Sequence, residues 1–329
     1  MADHAGEGEE DDFDGDIIFI YRGGGAPQHI THAVIDKSID EIEEYAFWSC
    51  RNLLQVDIHD GIRKIGRSAF CGCRSLRGVN LKSAFEIDEY AFCGCRNLES
   101  VEFGDRLETI GHRVFAQCTS LKHLKLPFIV TIATASFIGC MALIDIELSD
   151  RLETVETLAF YGCKRLQRIA IPLKRDMFEF SDIFQRYTQF DRCQQLATVD
   201  LVGGIDKTVA SLHMESWRTE MITEINRINQ VLPNTPADEK TDAIHQWMNS
   251  VVDKMDYYKA EHYRHVKEGM TLLELALWKA NLEDKEADQL EREGGRTTRG
   301  SRKRARKEIS VTSGADIVIK NVLPFLKLE

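Results

Sequence analysis

The sequence predicts an α+β chain: a β-solenoid of about six to seven short coils, followed by a C-terminal helical region. Two observations carry this. A repeat of 22 or 23 residues recurs six times within the 329-residue chain. After Gly203-Gly204 the spacing of apolar residues changes from a period of two to a helical period. Composition agrees, since 43% apolar and 29% charged residues allow a sizeable core. No run of 18 apolar residues occurs, so no membrane-spanning helix is expected.

The repeat is read from its columns. Phe47, Phe70, Phe92, Phe115, Phe137 and Phe160 recur at spacings of 23, 22, 23, 22 and 23. Three residues after each comes Cys50, Cys73, Cys95, Cys118, Cys140 or Cys163, and three further on Leu53, Leu76, Leu98, Leu121, Leu143 or Leu166. Apolar residues then follow at +3 and +5, as in Val56/Ile58, Val79/Leu81 and Ile146/Leu148. That closing alternation fits a short strand with one buried face. A second apolar step closes each coil, as in Ile62/Ile65, Leu107/Ile110 and Leu152/Val155. One such coil cannot bury both faces alone. Stacked at about 4.8 Å per strand, the coils share a continuous core of Phe, Leu and Ile ladders.

The ends of the array are degenerate, as capping coils are. Ile30, Ala33, Ile35, Ile39 and Ile42 keep the register of a first coil, and Ile17–Tyr21 reads as a strand before it, with Gly23-Gly24-Gly25 as its turn. Phe190, Cys193, Leu196, Val199 and Leu201 form a last half-coil after an insertion at Asp176–Tyr187. The solenoid with its N-terminal cap is therefore assigned to residues 17–204.

The remainder divides by composition. Residues 1–16 hold eight acids and no Lys or Arg, and are expected to be a disordered acidic tail. Residues 205–282 are expected to be helical. Trp217, Met221, Ile225 and Ile228 mark one apolar face, and Ile244, Trp247, Met248, Val251 and Met255 another. Pro233 ends the first helix. Thr235 is predicted to cap the next, with Pro236 at its first position. Gly269 is predicted to break or bend that run, and Thr271 with Glu274 has the spacing of a capping box for a further segment. Residues 283–312 read as a basic flexible linker. Ile317, Val318, Val322, Phe325 and Leu326 mark a short element at 313–329 that docks back.

The AFxxCxxLxxVxL pattern with a preceding Ile/Leu-x-x-Ile resembles the BspA-like, Treponema-type leucine-rich repeat family over about residues 30–204. The resemblance implies a leucine-rich-repeat solenoid and a role in protein interaction. The tail segments LLELALWKANL and GADIVIKNVLPFL resemble those closing BspA-like repeat proteins of diatoms, which adds a layout rather than an activity.

The functional reading follows from that surface. The outward strand positions form two columns, Gln55, Gly78, Ser100, His123, Asp145, Arg168 and Asp57, Asn80, Glu102, Lys125, Glu147, Ala170. Their polar members are the candidate partner-binding residues, so the chain is read as a non-enzymatic scaffold that binds another protein along its strand face. A second reading is a nuclear adaptor, with Arg302, Lys303, Arg304, Arg306 and Lys307 as an import signal. A third, surface adhesin-like binding, is disfavoured because the acidic opening lacks the features of a signal peptide. The expected location is intracellular, cytoplasmic or nuclear, with the nine cysteines as thiols.

No cofactor and no metal is expected. Cys71-Gly-Cys73 and Cys93-Gly-Cys95 have C-x-C spacing, and Cys73 and Cys95 belong to the repeat's own Cys column. His245, His262 and His265 read as solvated helix residues. No GxSxG, HExxH, GxGxxG or GxxxxGK[ST] motif occurs. With a net charge of −11 the chain lacks the field that gathers nucleic acid, and no membrane contact is expected.

Overall fold

A computed structural model describes residues 10–13, 16–178, 188–212 and 214–293. Two ladders of strands build the solenoid. The longer strands are Asp16–Tyr21, His32–Ile35, Gln55–Asp57, Gly78–Leu81, Ser100–Phe103, His123–Leu126, Asp145–Leu148, Arg168–Pro172 and Thr198–Val202. The shorter ones are Glu41–Ile42, Lys64–Ile65, Glu86–Ile87, Thr109–Ile110, Thr131–Ile132 and Thr154–Val155. Within each ladder, paired strands of successive coils run parallel, for example His123↔Asp145 and Ile42↔Ile65. Val155 continues the short ladder by a bridge to Phe178, at the start of the inserted segment.

The core is a file of aromatic rings. Phe47, Phe70, Phe92, Phe115, Phe137, Phe160 and Phe190 are all fully buried. Successive ring centroids lie 4.9–5.6 Å apart, with planes within 9° of each other. Tyr21 continues the file at the N-terminal end, 5.1 Å from Phe47. The rings stack face to face because the backbone repeats beneath them. Phe47, Phe70, Phe92 and Phe115 each donate an N–H to the residue before the next Phe, at 2.7–2.9 Å.

The Cys column has its own cause. Each Phe carbonyl already accepts the N–H of the Cys three residues on, as Phe70 does from Cys73 at 3.1 Å. Its second lone pair accepts a thiol from the following coil. Cys73 donates to Phe47, Cys95 to Phe70, Cys118 to Phe92 and Cys140 to Phe115, at 3.1–3.3 Å. A small apolar residue with one weak donor is what this buried position requires.

The turns on both sides of each Phe contain a left-handed residue. Tyr45, Ser68, Tyr90, Arg113, Ala135 and Leu158, two residues before it, have φ of +53° to +61°. Ser49, Gly72, Gly94, Gln117, Gly139 and Gly162 occupy the left-handed region two residues after it, with φ of +60° to +81°. Glycine fits the second position in four of these coils because no Cβ then opposes that backbone.

The chain forms two compact units. The first comprises Met1–Asp206 and Ile222–Val252. It contains the solenoid and most of helix α2 (Glu215–Val231), a short 3-10 turn at Leu232–Asn234, and the start of helix α3 (Lys240–Glu293). Helical side chains complete the last coil as a further coil would. The Asn229 amide accepts the Val199 N–H at 2.8 Å and donates back to the Val199 carbonyl at 3.2 Å. Thr241 Oγ1 accepts the Phe190 N–H at 3.0 Å. The buried Lys240 ammonium donates to the carbonyls of Gln194, at 3.1 Å, and Leu196. Burial pushes the Lys240 pKa below its ordinary value. Lys240→Met is expected to cost about 1–3 kcal/mol, because two buried carbonyls lose their donor. Urea denaturation measures this, and an unchanged midpoint refutes the capping role.

The second unit comprises Lys207–Met221 and Asp253–Glu329. Its described residues include the end of helix α1 (Ile205–Ala210), the first turns of α2 and the rest of α3. Trp217 stacks on Tyr258 with centroids 4.9 Å apart, and the Tyr258 hydroxyl donates to Glu220.

Four expectations change. Glu10–Phe13, placed in a disordered tail, forms a strand antiparallel to Asp16–Tyr21. The first long strand would otherwise leave a row of amides unpaired, and backbone pairing needs no apolar side chains. Thr235 does not cap α3. Its hydroxyl donates to the Val231 carbonyl at 3.1 Å and closes the preceding turn, while α3 begins at Lys240. Gly269 neither breaks nor ends α3, and Thr271 bonds the Lys267 carbonyl at 3.0 Å from mid-helix instead of opening a capping box. One glycine costs a helix only about 1 kcal/mol, which its neighbours outweigh. Finally, residues 283–293 are helical rather than linker. EDKEADQLERE is polar all round, yet Glu, Lys, Ala, Gln and Leu are strong helix formers. Residues 294–312 of the expected linker and the 313–329 element lie outside the described residues.

Candidate functional site: the outward strand face

The outward face of the long strands follows from period-two alternation. In Asp145–Leu148, Ile146 and Leu148 are buried while Asp145 and Glu147 lie on the opposite side. Registers set the columns: His32 beside Gln55 and Val34 beside Asp57, then Gly78 beside Ser100 and Asn80 beside Glu102. Further on, His123, Asp145 and Arg168 are aligned, as are Lys125, Glu147 and Ala170. The sequence-predicted residues thus share one face.

Much of that face is neutralised from within. Lys82 pairs with Glu102 at 2.6 Å, Lys125 with Glu147 at 3.0 Å and Arg168 with Asp200 at 2.5 Å. His123 Nδ1 meets Asp145 Oδ2. Gln55 donates to Asp57 at 2.7 Å, and Asn80 Oδ1 accepts the Lys82 N–H at 3.0 Å. Exposed pairs of this kind contribute only about 0.2–1 kcal/mol each. Their effect is to cancel charge strand by strand, so the C-terminal coils present no single sign.

The N-terminal coils differ. Ile18 and Ile20 alternate with the buried Phe19 and Tyr21, and register beside His32 and Val34. Both columns therefore continue two strands beyond the predicted residues, and three of the four added positions, Ile18, Ile20 and Val34, are apolar. A shallow pocket of about 360 Å³ opens there, with Ile20, Val34, Ile35 and Ile58 as its apolar walls and Asp36, Lys37, Asp57 and His59 as polar lining. Val34 is 38% exposed.

The rim is held in place. Asp36 accepts from the backbone N–H of Ser38 at 2.9 Å, from the Ser38 hydroxyl at 2.7 Å and from Arg22 at 3.3 Å. These bonds hold its carboxyl down at about 2. His59 Nδ1 accepts the Gly61 N–H at 3.0 Å, so a neutral ring carries its proton on Nε2, which lies 3.1 Å from the Asp36 carbonyl. Sequence reasoning stopped at Gln55 and Asp57. Extending the same alternation back through Ile18-Phe19-Ile20-Tyr21 finds Ile20 and Val34.

The other candidates separate. Cys73 and Cys95 are buried and bonded to Phe carbonyls, whereas Cys71 and Cys93 are half-buried. His245 contacts Asn249 at 3.2 Å, and His265 lies 4.0 Å from Glu261 and 3.9 Å from Glu268. Among the described residues no group of three His, Cys, Asp or Glu side chains is placed to hold a metal ion, and no helix is long and apolar enough to cross a membrane. The basic run Arg302, Lys303, Arg304, Arg306 and Lys307 lies outside the described residues.

A family model for the BspA type leucine rich repeat region, in six copies, matches residues 26–129 and 85–208. Together these stretches span more than half of the 329-residue chain. The chain belongs to the BspA-type leucine-rich repeat family. Among solved structures, this BspA-type chain is similar to the leucine-rich repeat protein of T. pallidum, at 23% identity over 59% of this chain and 78% of that one, with a TM-score of 0.36. It is also similar to a leucine-rich repeat protein of Bacteroides ovatus, at 21% identity over 60% of this chain and 76% of that one, with a TM-score of 0.39. No curated protein matches it.

Proposed function

We propose that this BspA-type protein is a binding scaffold that engages another protein on the N-terminal part of its outward strand face. The observation that carries the reading is the contrast along that face. Ile20 and Val34 line an exposed apolar hollow with Asp57 at its edge, whereas the coils from Lys82 to Asp200 are internally ion-paired. Covering apolar surface gains about 25 cal/mol per Å², whereas burying an existing ion pair must first remove its water. A partner therefore gains most where the columns are apolar, with the remaining coils setting orientation.

The test is differential. The full chain and its Val34→Glu and Lys125→Ala variants are cross-linked in native lysate, and the captured proteins are quantified. At least one stoichiometric protein is expected to fall about tenfold with Val34→Glu, equivalent to about 1.4 kcal/mol, and to persist with Lys125→Ala. Equal capture by all three chains overturns the proposal.

A further inference from the structure

Cys71 and Cys93 are set apart from the other thiols. They occupy the same position in consecutive coils, immediately after Phe70 and Phe92, whose rings stack 5.1 Å apart at 4°. Gly72 and Gly94 follow them, both left-handed, and the Gly72 N–H donates to the Cys93 carbonyl at 2.8 Å. A Cβ built on Gly94 lies 3.9 Å from the Gly72 Cα, so the two turns are in van der Waals contact. Adjacent rungs of a parallel ladder lie about 4.8 Å apart, inside the window a disulfide tolerates, about 4.4–6.8 Å between Cα atoms. The two thiols lie close enough to interact, which lowers the Cys71 pKa and raises that of Cys93. Both are half-buried, while the other seven cysteines are buried.

The repeat does not demand this pair. The same position holds Trp48, Ala116, Ile138 and Tyr161 in other coils. Cys73 and Cys95 are also one coil apart, but each thiol is turned to a Phe carbonyl of the preceding coil. Only Cys71 and Cys93 combine partial exposure with contact between their own thiols.

We propose that Cys71 and Cys93 form a reversible dithiol–disulfide site, oxidised by hydroperoxides, that clamps two neighbouring coils together. Cys71 is the attacking residue and Cys93 the resolving one. Interaction between the two thiols lowers Cys71 and raises Cys93, so the pair shares a thiolate that resides on Cys71. In the first step the Cys71 sulfur attacks the terminal oxygen of the peroxide. An S–O bond forms, the O–O bond breaks, and the leaving alkoxide or hydroxide takes a proton. In the second, the Cys93 sulfur attacks the Cys71 sulfenic acid. An S–S bond forms, the S–O bond breaks, and the departing hydroxide combines with the Cys93 proton as water. In total two thiols and one hydroperoxide give one disulfide, one alcohol (or water) and one water. A dithiol reductant returns the pair to thiols.

The test uses the full chain treated with a small excess of hydrogen peroxide, then non-reducing peptide mapping. The expected product is a linked peptide pair containing Cys71 and Cys93, 2 Da lighter than the two thiol peptides and restored by dithiothreitol. Cys93→Ser is expected to stop at a sulfenic acid on Cys71, trapped by dimedone. Cys71→Ser is expected to slow oxidation of Cys93 at least tenfold. Both variants alter a position that the repeat varies freely, and circular dichroism confirms that they fold. A dimedone adduct on Cys71 in the unaltered chain, a Cys71–Cys71 link between chains, or oxidation no faster than that of a buried column cysteine overturns the proposal.

Discussion

Phe115→Ala is expected to destabilise the solenoid by about 3–5 kcal/mol, the range for emptying a fully buried aromatic site. Phe115 is central to the file, with Phe92 and Phe137 stacked on its faces at 5.4 Å and Phe103 edge-on at 5.8 Å. The neighbouring rings cannot close the gap, because their spacing is fixed by the backbone ladder beneath them. A loss of that size shifts a melting midpoint of a domain this long by roughly 6–20 °C. It is also expected to break the cooperativity of the array, since each coil is stabilised chiefly by its two neighbours. Thermal unfolding of Phe115→Ala is therefore expected to occur earlier and over a wider range than that of Trp48→Ala, which alters an exposed ring. Equal midpoints for the two variants contradict a shared aromatic spine.

A second large effect is expected from alkali. Burial pushes the thiols of Cys50 and Cys140 up to about 12, and those of Cys73, Cys95, Cys118 and Cys163 well above the ordinary value of 9.0. Each folded thiol thus keeps its proton where the unfolded chain releases it. Above pH 9 the folded state binds more protons, so its stability falls as pH rises and is intact below about pH 8. Between pH 9 and pH 10 the loss is about 1 kcal/mol per thiol, or about 6 kcal/mol for the six. That is comparable with the whole stability of an ordinary domain, about 5–15 kcal/mol. Urea midpoints at pH 8, 9 and 10 in reductant are expected to fall steeply, and Cys118→Ala to flatten the slope by about one sixth. A constant midpoint from pH 8 to pH 10 is incompatible with buried thiols.

The parts of the molecule legible in the sequence are those governed by its period. Phe47 predicts where Phe70 lies because one coil shields the next, and Asp145 and Arg168 fall on one face because strand side chains alternate. The same alternation holds Ile20 and Val34, but they lie before Phe47, in capping strands that lack the Phe-Cys-Leu columns. What stayed hidden depends on chain segments far apart in sequence. Asn229, Lys240 and Thr241 look like ordinary polar helix residues until the backbone of Val199, Leu196 and Phe190 is beside them. The passage of α3 through Gly269 and on to Glu293 was hidden for another reason. A local helix breaker and a charged composition point to a break, whereas propensity summed over many residues carries the helix through. The pairing of Glu10–Phe13 is backbone to backbone, and no pattern in the sequence announces it.

The two ends of the solenoid bear on how long it is. A stack of parallel coils has no natural last member, and any bare end offers a template on which another molecule could continue the stack into a fibre. Here one terminus is sealed by a strand running the opposite way, and the other by an amide, a hydroxyl and an ammonium borrowed from helices. The chain thereby counts its own turns and stops.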